Sequence, residues 1–338
     1  MTQSTLTGLT LSMVAGVMSG NCMLPAKFVR SWKWENVWFV FSVVSLVILP
    51  WGLALLLVKH LGMTYSALGL SEFAAPFAFG AGWGIAQVLF GISVTRLGLG
   101  VAYSIIVGLG AVLGTLVPLF VQQRQLMDIR TLGILMTGVL LMVLGIALTA
   151  WGGHLREKSA QPSESIVPRS GYLVSILVAV LCGFMAPMLN YSFAFGQDIA
   201  RQAVAVGNSP VLAAYAVWPV ALAGGFLPNF AYSVFLLSRN RSVSAFHAPF
   251  PDILWPSLMA ALWMGAFALY GMSAVFLGAL GTSIGWGLFQ IFMITTAIFS
   301  GVLTGEWKGA PRRARAFLGT GLALLILATI LFTAGNSH

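Results

Sequence analysis

Charge is what this chain has least of. Only 7% of its 338 residues are Asp, Glu, Lys or Arg, where soluble domains carry about a quarter. So few charges cannot cover a water-facing surface of this size. Acids are the scarcer sign: Glu35, Glu72, Asp128, Glu157, Glu164, Asp198, Asp252 and Glu306 are the whole set. None falls at the middle of an apolar run. Glu72, Asp198 and Glu306 stand at run ends, and the others read as loop residues. The four histidines also read as loop or tail residues. A metalloenzyme, a carboxylate-dyad enzyme or a proton pump would expose titratable groups within its apolar segments. Cys22 and Cys182 are the only cysteines, both inside apolar runs, which leaves no disulfide framework and no zinc spacing. No Gly-rich loop closing on Lys-Ser/Thr offers a cradle for nucleotide phosphates. These absences argue against an enzyme, an ATP-driven pump and any metal or other cofactor.

What is present is apolar length. Hydrophobic residues make up 59% of the chain, in runs of about twenty, enough to cross roughly 30 Å of hydrocarbon. We read ten spans. Five cover about 6–26, 36–58, 72–94, 99–121 and 131–151. Five more cover about 171–195, 210–237, 253–276, 282–303 and 314–334. The polar stretch 152–170, GGHLREKSAQPSESIVPRS, reads as a cytoplasmic linker between a first unit, 1–151, and a second, 171–338. The N-terminus lacks the basic region of a cleavable signal, so the first span is expected to stay.

The two units are related. AGWGIAQVLFGISVTRLG at 81–98 recurs 180 residues later as ALWMGAFALYGMSAVFLG at 261–278, with eight of eighteen positions identical, Trp83/Trp263 and Gly91/Gly271 among them. Five spans per unit turn the second upside down relative to the first. The reading is therefore an all-α polytopic membrane protein, ten transmembrane helices as two inverted five-helix repeats, with a substrate near the midplane. Basic residues agree with a membrane rather than with nucleic acid. Thirteen lie in the loops after spans one, three, five, seven and nine, and four in the other loops. Lys and Arg collect on the cytoplasmic side, so both termini are expected outside.

Uncharged polar and aromatic side chains occupy the middle of spans: Asn21, Gln87, Tyr103, Asn190, Trp218, Trp263, Tyr270, Trp286 and Gln290. Amides pair with hydroxyls, and indole or phenol faces lie against the apolar face of a sugar ring. The amides equally suit hydrogen bonds between helices, and the rings suit helix packing. Gly91 and Gly271 are expected to permit close helix approach. Glu72, Asp198 and Glu306 are the candidates for a coupled proton, though Glu306 suits a salt bridge and Asp198 with Arg201 a surface ion pair.

Four segments carry a resemblance to a known family: SGNCMLPAKFVRSWKWENVW (19–38), FGAGWGIAQVLFGISVTRLGLGVAYSI (79–105), TLVP (115–118) and GVLTGEWKGAPRRARAFLGTGLALLI (301–326). Together they resemble the L-rhamnose/proton symporter family of the drug/metabolite transporter superfamily. That resemblance implies ten helices in two inverted repeats and uptake of a deoxyhexose with protons, in the bacterial inner membrane. The partners expected are thus a small-molecule sugar, protons and the lipid bilayer. The alternative within transport is an exporter or facilitator of another amphipathic metabolite or drug. In the segments 262–273 and 282–290 no acid appears, which leaves the proton site to the span ends.

Overall fold

With few charges and no water in hydrocarbon, every backbone amide must be paired within the chain, and helices do this segment by segment. The structure, a computed structural model, describes residues 3–97, 99–123, 125, 127–160, 169–247 and 251–336. Among them ten helical segments are long and apolar enough to span a membrane: α1 (Gln3–Phe28), α2 (Trp34–Leu57), α3 (Leu70–Leu97), α4 (Val101–Gln122), α5 (Ile129–Ser159), α6 (Gly171–Ala205), α7 (Pro210–Arg239), α8 (Asp252–Phe276), α9 (Gly278–Leu303) and α10 (Arg312–Gly335). Large apolar side chains such as Leu56, Ile129 and Leu303 stand exposed on the perimeter, where lipid tails are their solvent.

Several of these spans are interrupted, α7 by a 3-10 turn at Ala214–Ala216. α1 tightens into a 3-10 turn at Leu24–Phe28, and α2 holds a π-helical turn at Val44–Ile48. α6 breaks at Pro187, which has no N–H to give, into pieces ending at Met185, running Met188–Phe195 and finally Gln197–Ala205. Span six was expected to stop at 195, so this last amphipathic piece is a correction. It packs beside α3 and the start of α7 instead of leaving the protein. Residues 152–160 of the expected linker are likewise helical, continuing α5 to Ala160. The rest of that linker, 161–168, lies outside the described residues, as does Gly98 of the repeat.

Small residues decide which helices approach most closely. On α3, a Cβ at Gly80 would lie 1.8 Å from the Ala221 carbonyl oxygen, and one at Gly84 2.5 Å from that of Gly225. α7 answers with Gly224, whose Cβ would fall 2.1 Å from the Phe77 carbonyl oxygen. α5 and α10 interlock similarly through Gly145 and Gly321. At Gly91 a Cβ would meet nothing within 4 Å, so the expected packing role does not hold there, because that face of α3 has no helix against it. Gly271 adjoins side chains, with Trp218 Nε1 3.2 Å from its Cβ position.

Two acids read as loop residues are in fact buried. Glu35 Oε1 accepts from Asn240 Nδ2 (3.0 Å) and Ser242 Oγ (2.7 Å), while Asp252 accepts from the backbone N–H of Arg30 (3.1 Å) and Ser31 (2.7 Å). Both stand in the first turn of a helix, α2 and α8, where a negative charge is favoured. They fasten the α1–α2 turn to the α7–α8 turn.

Candidate substrate site and vestibule

The described residues enclose a cavity of about 500 Å³ where α4 ends, α6 closes and α9 begins, within the size range of small-molecule sites. Gln122, Gln123, Gln197, Arg201 and Thr282 supply its polar lining, and Phe193 its floor. Gln123 is buried and held from both sides: its Nε2 donates to Thr282 Oγ1 (2.7 Å), and its Oε1 accepts from Ser283 Oγ (2.7 Å). Gln122 donates to the Ala194 carbonyl (3.2 Å) and Gln197 to that of Phe193 (2.8 Å), which leaves the carbonyl oxygen of each amide without a bond. Sequence reasoning missed this lining. The glutamines sit at span ends, where polar residues are ordinary, and only the fold brings three of them around one cavity.

Directly beneath lies a sealed layer. Asn190 on α6 is fully buried, and its Nδ2 donates to the carbonyls of Gly114 (2.8 Å) and Thr282 (3.2 Å). Its Oδ1 accepts from the Tyr270 hydroxyl, itself fully buried on α8 and 3.2 Å from the Thr282 carbonyl. Trp286 of α9 donates Nε1–H to the Gly110 carbonyl (3.1 Å), with its ring over Gly114. Phe193 stacks on Trp218, 4.9 Å between centroids and 12° apart. Asn190, Tyr270 and Trp286 therefore have their polar groups occupied, and with Trp218 they close the protein below the vestibule. The Pro187 break lets this happen, by turning the Met188–Phe195 piece so that Asn190 reaches two other helices.

Deeper in, Trp83 of α3 and Trp263 of α8 stack on each other, 5.3 Å between centroids and 24° apart. These are the paired tryptophans of the sequence repeat. The remaining candidates differ from the sealed layer in one respect. Gln290 is 6% exposed and makes no hydrogen bond among the described residues, and neither Gln87 nor Tyr103 makes one. Thr115 Oγ1, Ser93 Oγ and Ser42 Oγ are buried without partners as well. Sequence reasoning missed these hydroxyls, because a helical Ser or Thr usually bonds its own preceding turn.

Asn21 stands apart from the vestibule, at the far end of α1. Its Nδ2 donates to the Val17 carbonyl (2.9 Å), and its Oδ1 accepts from Ser300 Oγ (2.6 Å) on α9. The three acids also divide between the ends. Glu72 is half-buried at the start of α3 and accepts from Ser71 Oγ (2.8 Å). Asp198 pairs with Arg201, which lines the vestibule. Glu306 lies past the other end of α9, 3.5 Å from Lys27 Nζ and 3.2 Å from Arg156 Nη1. With α9 running 23 helical residues between Thr282 and this cluster, about 30 Å separates the two.

Comparison with known proteins adds the following. Residues 1–337 match the family model described as L-rhamnose-proton symport protein (RhaT). The L-rhamnose-proton symporter of Escherichia coli O17:K52:H18 (strain UMN026 / ExPEC) is 27% identical over 334 residues, covering 96% of each chain. Those of Escherichia coli strain SMS-3-5 / SECEC and of O127:H6 (strain E2348/69 / EPEC) are each 28% identical over the same length and share.

Proposed function

The chain belongs to the L-rhamnose-proton symport protein family, and on that footing we propose that it takes up L-rhamnose or a related deoxyhexose together with protons across the bacterial inner membrane. One observation carries the choice of site: the amide of Gln290, on a side chain only 6% exposed, makes no hydrogen bond among the described residues. A buried amide with no hydrogen bond costs free energy, which a multi-hydroxyl ligand would recover. α4 and α9 run antiparallel, since Gln123 bonds at the start of α9 and Gly110 bonds Trp286 further along it. Gln290 lies one turn beyond Trp286 on α9. Gln87 sits one turn beyond Trp83 on α3. These unoccupied groups beside the Trp83–Trp263 stack are the sugar site in this reading. Asn190, Tyr270, Trp286 and Trp218 form the barrier between that site and the vestibule.

Transport by alternating access of two inverted halves is part of the proposal. Supporting it, the helix contacts recur five helices on: α3 packs on α7 as α8 does on α2, α1 on α8 as α6 on α3, and α1 on α9 as α6 on α4. In an inverted repeat, equivalent residues near the pseudo-twofold axis meet each other, as Trp83 and Trp263 do. The loop-charge bias assigns the vestibule to the periplasmic side, with both termini there. A proton entering with the sugar then first meets Asp198 and Arg201 at the vestibule rim. Glu306, at the other end, is out of reach of that route.

The test is uptake of labelled L-rhamnose into proteoliposomes with and without an inward proton gradient. Gradient-driven accumulation, lost in Gln290→Ala protein of unchanged thermal stability, is the expected result. Accumulation unaffected by Gln290→Ala overturns the site, and absence of rhamnose flux overturns the substrate.

A further inference from the structure

We propose that Glu306, with Lys27 and Arg156, is the latch that keeps the end opposite the vestibule shut, and that it sets the direction in which the resting transporter opens. The cluster gathers three parts of the fold. Lys27 comes from the 3-10 turn closing α1, Arg156 from the end of α5, and Glu306 from the turn between α9 and α10. Its geometry is fixed by more than charge. Arg156 lies 5.0 Å above the Trp307 ring, and Glu306 Oε2 is 3.1 Å from the Cβ position of Gly301, so the carboxylate lies against the last turn of α9. A neutral tie, Ser300 Oγ to Asn21 Oδ1, joins α1 and α9 at the same end.

One carboxylate here compensates two cations. Without it, Lys27 and Arg156 face each other, and Lys308 beside Gly305 adds a third positive charge. Glu157, 3.8 Å from Arg156, sits on the same helix as that arginine, so their pair joins no second helix. Removing the charge of Glu306 therefore replaces an attraction between helix ends with a repulsion.

The ion pairs of the described residues fall unequally on the two ends. Of the ion pairs between described residues, the two that join different helices both converge on Glu306. At the vestibule, Asp198 and Arg201 are three residues apart on one helix and tie nothing together. The residue 180 positions before Glu306 is the uncharged Leu126. A transporter whose helices are tied ionically at this end favours the state closed there and open at the vestibule. That inference rests on the transport reading only in requiring two alternately opened ends; it does not depend on which sugar is carried.

The chain contains its own reporters. Cys22 follows Asn21 on α1 and is 5% exposed, while Cys182 on α6 is 1% exposed with its thiol donating to the Ala86 carbonyl. The experiment measures alkylation of each by N-ethylmaleimide, without substrate, in wild-type, Glu306→Gln, Glu306→Asp and Lys27→Glu/Glu306→Lys protein. Glu306→Gln should speed labelling of Cys22 roughly threefold to tenfold, the size of effect two part-exposed ion pairs allow, and leave Cys182 unchanged. Glu306→Asp should label at close to the wild-type rate, and the charge swap, which restores the tie to α1 but sets a second cation against Arg156, should fall between Glu306→Gln and wild type. Unchanged Cys22 labelling in Glu306→Gln overturns the latch. An equal rise at both cysteines also overturns it, since general loosening and not gate opening would then be the cause. Neither outcome depends on rhamnose, so a failed uptake assay leaves this test standing.

Discussion

At the scale of single residues, the proposed site rests on the division between occupied and unoccupied polar groups. Asn190 and Gln290 looked alike in sequence, both amides within apolar spans. In the fold, Asn190 has all its groups bonded across helices α4, α8 and α9, while Gln290 has none. Tyr270→Phe should therefore act on stability. It strips the buried Asn190 Oδ1 of its donor and costs about 1–3 kcal/mol, read as a lower thermal midpoint in detergent. An unchanged midpoint would mean that Asn190 finds another partner. That Asn190 and Gln290 both lie within apolar spans was legible from the sequence. Which polar groups were already satisfied was not, because satisfaction depends on partners far along the chain, 92 residues away for Asn190 and 176 for Trp286.

At the scale of helices, glycine works by contact and not by composition. Gly80 and Gly91 are both in α3, three turns apart. A Cβ at Gly80 would collide with the backbone of α7, while one at Gly91 would touch nothing. Gly80→Ala is expected to lose about 1–3 kcal/mol by overpacking, or to prevent folding, as measured by yield and thermal midpoint. Gly91→Ala should be neutral or slightly stabilising, since alanine is the better helix former. The reverse order would mean that α3 faces its neighbours differently. The break in α6 belongs to this scale too. Pro187 was visible in sequence as a place where a span would falter, and the return of the chain as a second short helix at Gln197–Ala205 was not.

For the whole molecule, the arrangement of charge predicts how the protein sits in the membrane. Ser66, in the turn after α2, is at the vestibule end, whereas Arg312 opens α10 near the Glu306 cluster; both are exposed. In protein with Cys22 and Cys182 replaced by serine, Ser66→Cys should react with an impermeant maleimide in intact cells. Arg312→Cys should react only after the membrane is opened. The opposite pattern would invert the topology and assign the vestibule to the cytoplasm.

Hydrophobic length, charge scarcity and the 180-residue repeat are properties of the chain taken locally. They determined by themselves that the protein is a ten-span helical membrane protein, because a helix pairs its own backbone and needs only length and apolarity to enter hydrocarbon. The quoted segments, local as well, carried the family. Tertiary structure alone decided which span ends come together. The vestibule is assembled from the ends of α4, α6 and α9, and the proposed latch from α1, α5 and the α9–α10 turn. Contacts between distant segments depend on how helices pack, through backbone approach at glycines and polar pairing at breaks. A pattern read along one dimension does not contain that information.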